Sequence, residues 1–198
     1  MFIHEELLLK YGAEYESYCL KDNIFKNGDT VRHYIQIKSG TVELCNYHED
    51  GKEFTLNILE DGQSIAESFL FSENCYPMYA VAKTDCEVLK LEKSKFLQLL
   101  SENPSEVDNL LRHLSDRLFY KYLMLFNNSS SDAGSKIKSL LDYYKNISTS
   151  KNRFEYEVPL TRQQIANLTG LRVETVIRVV KKMEKEKVLQ IKDRAIFY

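Results

Sequence analysis

Residues Leu160–Lys181 read LTRQQIANLTGLRVETVIRVVK, and this stretch decides the fold of the C-terminal part. Thr161 is placed to cap a helix. Its hydroxyl can accept a free backbone N–H, and Gln164 stands three residues on, where a capping box puts Glu or Gln. Ile165, Ala166, Leu168 and Thr169 follow at helical spacing. Gly170 breaks the pattern and can take the left-handed conformation that a tight turn between helices needs. Leu171 is expected to return to the core. A second helix, over 172–186, carries Val173, Val176, Val179 and Val180 on its buried side. Two short helices joined by a Gly-containing turn make a helix-turn-helix. An ordinary helical hairpin shares that outline, but it does not call for the Thr cap, the small Ala166 at the crossing and the turn glycine together. The face opposite the valines shows Arg172, Glu174, Thr175, Arg178, Lys181 and Lys182. Basic groups suit phosphates and base edges, and Glu174 can accept from a cytosine amino group.

Working outward, Val188–Ile191 and Ala195–Tyr198 flank Lys192-Asp193-Arg194, which reads as a two-stranded hairpin, the wing of a winged helix-turn-helix. A loop with Lys151 and Arg153 precedes the motif. Before it, Ser131 or Asp132 caps a helix expected to end near Tyr144. Asn127–Asp132 (NNSSSD) is polar and helix-breaking, so it reads as a linker. The charge changes sign close to it. Residues 1–135 hold 13 Lys+Arg against 22 Asp+Glu, a net of −9; residues 136–198 hold 14 against 7, a net of +7. A basic part that also holds the helix-turn-helix suggests a polyanion-binding module joined to an acidic one.

Upstream of the linker, a helix from Pro104 to about Asn127 carries Val107, Leu111, Leu114, Leu118, Tyr122, Leu125 and Phe126 in one stripe, widened by Leu110, Phe119 and Leu123. So broad an apolar face exceeds what one small domain can cover. Pairing with a second copy explains the excess, with Leu111, Leu114, Leu118, Tyr122 and Leu125 as the interface. Between Asp22 and Leu91, Gly28, Gly40, Gly51 and Gly62 recur beside polar turn residues. The runs between them, Tyr34–Ile37, Thr41–Leu44 and Phe54–Ile58, alternate and are rich in β-branched and aromatic residues. Met78–Leu91 adds two strands around Thr84-Asp85. Short strands at this spacing indicate a β-barrel or sandwich. The first twenty residues read as one short amphipathic helix, and Lys95–Leu100 as another.

Other chemistry finds little support. Cys19, Cys45, Cys75 and Cys86 have no CxxC spacing, so they are expected to be reduced and mostly buried thiols. His4, His33, His48 and His113 are scattered with no HxH pair, so no metal is expected. No GxSxG, Walker or GxGxxG motif is present, and the chain is not expected to be an enzyme. No run of about eighteen apolar residues occurs, and MFIHEELLLKYG lacks a signal-peptide pattern. A cytoplasmic protein without membrane association is the expectation.

The order of barrel, long helix, linker and winged helix-turn-helix resembles the Crp–Fnr family of bacterial transcription regulators along nearly the whole chain. Phe25–Gly62 looks like the family's cyclic-nucleotide-binding-type barrel, and Gly62–Phe71 (GQSIAESFLF) is similar to its effector loop. LTRQQIANLTGLRVETVIR resembles the DNA-reading motif, where Glu174 and Arg178 fall on base-reading positions and the half-sites have a TGA-like core. Val173 replaces an arginine of the cyclic-AMP-responsive branch, so the Val-Glu-Thr run looks more like the oxygen-responsive branch. The effector side departs from both. Ala66 replaces the loop glycine before Glu67 and Ser68, Cys75-Tyr76-Pro77-Met78 stands where a phosphate-binding arginine belongs, and Lys121 and Tyr122 replace the adenine-contacting pair. A buried phosphodiester needs a charge-assisted partner, ideally Arg. Cyclic AMP is therefore not expected, and the N-terminal cysteine cluster of the oxygen-responsive branch is missing. No cofactor is identified, and an effector bound near Ala66, Glu67, Ser68, Tyr76, Lys121 and Tyr122 would be of unknown identity.

The expectation is thus an α+β chain: an N-terminal antiparallel β-barrel (jelly roll) sensor over 1–103, a long dimerisation helix over 104–127, and a C-terminal winged helix-turn-helix over 128–198. It would bind double-stranded DNA as a homodimer, and the resemblance implies RNA polymerase as a further partner. Thr161, Arg162, Gln163, Arg172, Thr175, Lys181 and Lys182 would meet the DNA backbone or groove. Two alternatives are a cyclic-nucleotide-binding module acting through protein partners without DNA, and a cupin-type metalloenzyme.

Overall fold

The computed structural model describes residues 2–148, 150 and 152–198. It divides into two compact units, Met1–Arg117 and Leu118–Tyr198. Lys151, expected in the loop before the helix-turn-helix, lies outside the described residues.

The N-terminal unit is built on two antiparallel sheets. Its strands are β1 (Glu14–Tyr18), β2 (Asn23–Phe25), β3 (His33–Ser39), β4 (Val42–Tyr47), β5 (Glu53–Leu59), β6 (Tyr79–Ala82) and β7 (Cys86–Glu92). One sheet has the order β1-β7-β3 and the other β2-β6-β4-β5, a jelly-roll-like pair of sheets rather than a continuously closed barrel. The turn between β3 and β4 requires Gly40. Its φ is 106°, and a Cβ there would come within 2.6 Å of the Asp85 carbonyl oxygen and the Cys86 sulfur. Tyr34, Ile37, Leu89 and Leu91 fill the core, joined by Phe96 and Leu99 of α2 (Lys93–Glu102) and Leu110 of α3 (Pro104–Ser129). Tyr34 and Phe96 stack with ring centroids 4.3 Å apart. The buried Gln36 side chain is satisfied by the backbone of Ile3: its Oε1 accepts from the N–H at 3.0 Å, and its Nε2 donates to the carbonyl at 2.9 Å.

Three expectations need correction in this unit. The opening helix is only α1 (Glu5–Lys10), and residues 14–18 form β1, paired with β7 in the register Glu14↔Lys90 to Tyr18↔Cys86. The segment Glu-Tyr-Glu-Ser-Tyr is mostly exposed, so no apolar alternation announced a strand. Pairing with β7, with Glu16 2.7 Å from Lys90, supplies its backbone partners. The three-residue β2 was likewise not read. The cysteines are free, but only Cys45 and Cys86 are buried; Cys19 and Cys75 are exposed.

The C-terminal unit holds the last part of α3, then α4 (Ala133–Ile147), α5 (Arg162–Thr169), α6 (Val173–Lys185) and a hairpin of β8 (Gln190–Lys192) and β9 (Ala195–Phe197). Asp132 caps α4 by accepting from Ser135 N–H at 2.7 Å. Ile137, Leu140 and Leu141 of α4 are buried, as are Ile165, Ala166 and Leu168 of α5, Val176, Val180 and Met183 of α6, and Ile196. The proposed linker is shorter than expected. Asn127 and Asn128 remain helical, and Asn128 Nδ2 donates to the Leu168 carbonyl at 3.4 Å. That bond gives a helix-breaking side chain a partner outside its own backbone.

Candidate nucleic-acid interface and effector loop

The local design of α5 and its turn into α6 follows from three short-range devices. Thr161 Oγ1 accepts from Gln164 N–H at 3.1 Å, while Gln164 Oε1 accepts from Thr161 N–H at 2.9 Å, a complete capping box. Thr169 Oγ1 donates back to the Ile165 carbonyl at 2.6 Å, closing the last turn. Gly170 takes φ 68°, ψ 13°, which ends α5. Arg172 then sits at the N-cap position of α6, without a side-chain cap bond. Leu171 is only half-buried, so the inward contact at the turn comes from the fully enclosed Thr169.

On α6, Val176, Val180 and Met183 form the buried seam, with Val173 and Val179 half-buried beside it. Glu174, Arg178, Lys181 and Lys182 are exposed on other faces. Glu174, Ile177, Arg178, Lys181, Lys182 and Lys185 line an open groove of about 580 Å³. Glu174 and Arg178 are one turn apart on one face. Among the described residues neither side chain has a hydrogen-bond or ion-pair partner. Lys182 stands 3.7 Å from Glu186, a loose surface pair. Thr175 is half-buried.

The wing lies across a second groove, of about 690 Å³, from Ile177 and Lys181. Lys192 pairs with Ala195, leaving Asp193 and Arg194 as a two-residue turn with φ 47° and 69°. Two consecutive left-handed residues are the geometry of a type I′ hairpin. Arg162 acts on this turn: its Nη1 donates to the Arg194 carbonyl at 2.8 Å, and its half-burial lowers its pKa by desolvation. Of the residues expected at phosphate, Arg162 has its Nη1 bonded to the wing turn and Thr161 has its hydroxyl in the capping box. Gln163 is exposed and bonded to Asn167 Oδ1 at 2.8 Å.

The effector loop has the opposite character. Ala66 is buried with φ 54°, a left-handed position where glycine costs least. Glu67 is 1 % exposed. Its Oε2 accepts from Ser64 Oγ at 2.9 Å and lies 3.3 Å from Arg117 Nη1. Arg117 Nε donates to His113 Nε2 at 2.9 Å. Burial, and then the Arg117 guanidinium, lower the His113 pKa. A nitrogen that accepts from arginine carries no proton, so the 3.6 Å approach of His113 to Glu67 is not an ion pair. Glu67 Oε1 is buried without a hydrogen bond. Residues 75–78, where the family resemblance places the cation for this loop, hold none. Arg117 comes from α3, and only its one-turn spacing from His113 could have pointed to it. Ser68 is exposed, whereas Tyr76 is buried and stacked on Phe25, with centroids 3.7 Å apart. Lys121 and Tyr122 are exposed and belong to the C-terminal unit.

Of the expected interface residues on α3, Leu111, Leu118, Tyr122 and Leu125 are exposed in the single chain. Leu114 instead packs, partly buried, against the core of the N-terminal unit.

Comparison with known proteins matches this architecture. Residues 15–103 match the cyclic nucleotide-binding domain, and residues 137–197 the Crp-like helix-turn-helix domain. The cAMP-activated global transcriptional regulator CRP of Salmonella typhimurium is 28% identical over 181 residues, covering 90% of this chain and 86% of that protein. The cAMP-activated global transcriptional regulator Vfr of Pseudomonas aeruginosa is 25% identical over 184 residues, covering 90% and 86%. Among solved structures, the c-di-GMP responsive global regulator CLP of Xanthomonas campestris superposes with a TM-score of 0.76 at 22% identity, covering 97% of this chain and 96% of that one. A CooA mutant from Carboxydothermus hydrogenoformans gives 0.83 at 21%, covering 98% and 86%. The chain belongs to the Crp–Fnr family. It is a DNA-binding transcription regulator with a cyclic-nucleotide-binding-type domain, a class whose members are regulators rather than enzymes. Among the described residues no helix is long and apolar enough to cross a membrane.

Proposed function

We propose that this regulator works as a homodimer that reads a pseudo-palindromic DNA site, with Glu174 and Arg178 of α6 contacting bases. One observation carries the reading: the two side chains stand exposed on one face of a helix rich in lysine, with no hydrogen-bond or ion-pair partner among the described residues. Arg178 bonds guanine through O6 and N7, and Glu174 accepts from a cytosine amino group. The resemblance of residues 160–178 to the family's DNA-reading motif implies half-sites with a TGA-like core. Arg172, Gln163, Thr175, Lys181 and Lys182 hold phosphate or groove edges, which sets register without reading sequence. Thr161 and Arg162 support this surface from within, through the cap and the wing. The two recognition helices enter successive major grooves about 34 Å apart.

The exposed stripe Leu111, Leu118, Tyr122 and Leu125 supports dimerisation through α3. The division of labour follows the chain: residues 1–103 form a sensor domain, 104–127 the pairing helix and 128–198 the DNA-binding domain. The effector acts beside Glu67, and it is not cyclic AMP, although relatives are described as cAMP-activated. Ala66 and the Cys75–Met78 segment leave no cation free for a phosphodiester, and Arg117 is engaged by Glu67. The protein acts in the cytoplasm with RNA polymerase as a partner.

The test compares two variants on a selected operator and on random DNA. Arg178→Ala should cost about 1–3 kcal/mol on the operator and relax preference at one base pair. Lys182→Ala should weaken all sequences alike and lower the salt slope by roughly one unit. Equal loss on both DNAs for Arg178→Ala would show that Arg178 meets only phosphate.

A further inference from the structure

Ile177 is 41 % exposed on α6, with charged side chains around it in the groove along the helix and apolar Val158, Leu160, Val180 and Ile191 among the residues lining the groove that faces the wing. It lies outside the seam of Val176, Val180 and Met183, since one residue is about 100° of turn on a helix. Glu174 precedes it by three residues and Lys181 follows by four, so it lies on the side of the helix that those two present, while Arg178, the next residue, borders it about 100° round the axis. It lines both open grooves, the one along α6 and the one facing the wing. Within the folded chain the exposed surface of this side chain does little. It contributes less to helix formation than alanine and leaves much of its apolar surface in water. Single exposed apolar residues are common and need no explanation by themselves. What distinguishes this one is its place between an acidic and a basic side chain proposed to read bases.

The major-groove edges of the four base pairs offer hydrogen-bond donors, acceptors and one apolar group, the C5-methyl of thymine. We propose that Ile177 is a specificity-determining residue that packs on a thymine C5-methyl in each half-site, selecting T·A at one base pair among the polar contacts. This rests on the reading of α6 as the base-reading helix.

Replacing thymine by deoxyuridine deletes that methyl and leaves pairing unchanged. The full-length protein is used to select an operator from random duplex DNA. Each thymine of a half-site is then replaced singly by deoxyuridine. Burial of one methyl-sized group predicts that wild type loses about fourfold in affinity at one position. Ile177→Ala should bind the thymine operator about fourfold more weakly and show no further loss with deoxyuridine at that position. Thermal unfolding of Ile177→Ala should match wild type, because the residue is not in the core. Coupling between the two deletions is the decisive readout, since altered DNA stiffness would affect both proteins equally. No sensitive thymine in wild type, or the same loss in Ile177→Ala, overturns the proposal. Arg178→Ala on the same operator separates the two levels. If it still loses specificity while the deoxyuridine effect fails to couple, only the Ile177 contact is wrong. If it weakens operator and random DNA alike, the reading face itself is wrong and the contact falls with it.

Discussion

Glu67 and Arg117 in the N-terminal unit carry the same charges as Glu174 and Arg178 in the C-terminal unit, in very different surroundings. Glu67 is almost wholly enclosed, bonded by Ser64 and set 3.3 Å from Arg117, which also donates to His113. Glu174 and Arg178 are exposed, and their four-residue spacing on a helix directs both outward. A buried carboxylate without a cation is unstable, so the first pair is obliged to find each other. The second pair stays hydrated, and its free donors and acceptors remain available to an external partner. Charge type alone therefore says little about role. Desolvation separates a pair that holds a loop in place from a pair that can read another molecule.

The largest expected effect breaks the buried pair. Arg117→Ala leaves Glu67 enclosed without its cation and should cost about 3–5 kcal/mol in denaturant unfolding. A loss well under 1 kcal/mol would mean that solvent reaches Glu67 and that the contrast is wrong. Next comes the apolar counterpart of the exposed pair. Leu118 is half exposed on α3 and has little internal role, so Leu118→Glu should fold normally but give monomers in light scattering. An unchanged dimer would remove the proposed interface. Leu114→Glu is a poorer test, because Leu114 packs on its own core.

A smaller effect concerns cyclic AMP. With Arg117 committed to Glu67, calorimetry should find no saturable micromolar binding. One site per chain of that strength would show that the buried pair opens for an anionic ligand. The smallest effect is on the exposed side. Arg178→Ala should change unfolding free energy by no more than about 0.5 kcal/mol, whatever it does to DNA binding. A larger loss would reveal an internal partner for Arg178 and weaken its assignment to bases.

The C-terminal half was more legible than the N-terminal half. Thr161, Gln164 and Gly170 act within a few residues of themselves, and each does what its spacing suggests. The wing was readable because Asp193 and Arg194 separate two short apolar runs. The N-terminal strands between glycines were readable for the same reason, whereas β1 was not, since its side chains are mostly exposed and its partner β7 lies far along the chain. In the candidate effector site the loop residues Ala66 and Glu67 were found by resemblance to a known motif. Their partners His113 and Arg117 were missed, because a helix residue 53 positions beyond Ser64 leaves no local trace of contact.

The sequence by itself determined the helix-turn-helix, its cap and turn, the glycine-punctuated strands, the α4 cap and the apolar excess on α3. These depend on hydrogen bonds and periodicities that span a few residues. Only the tertiary structure decided that residues 14–18 are a strand, that α3 continues through Asn127 and Asn128, that Leu114 faces its own core, that Arg162 holds the wing carbonyl, and that Arg117 neutralises Glu67. In each of these the deciding partner is remote in sequence. Which groups lose their water on folding is set by the packing of whole elements, and that in turn selects the polar and charged pairs that must form.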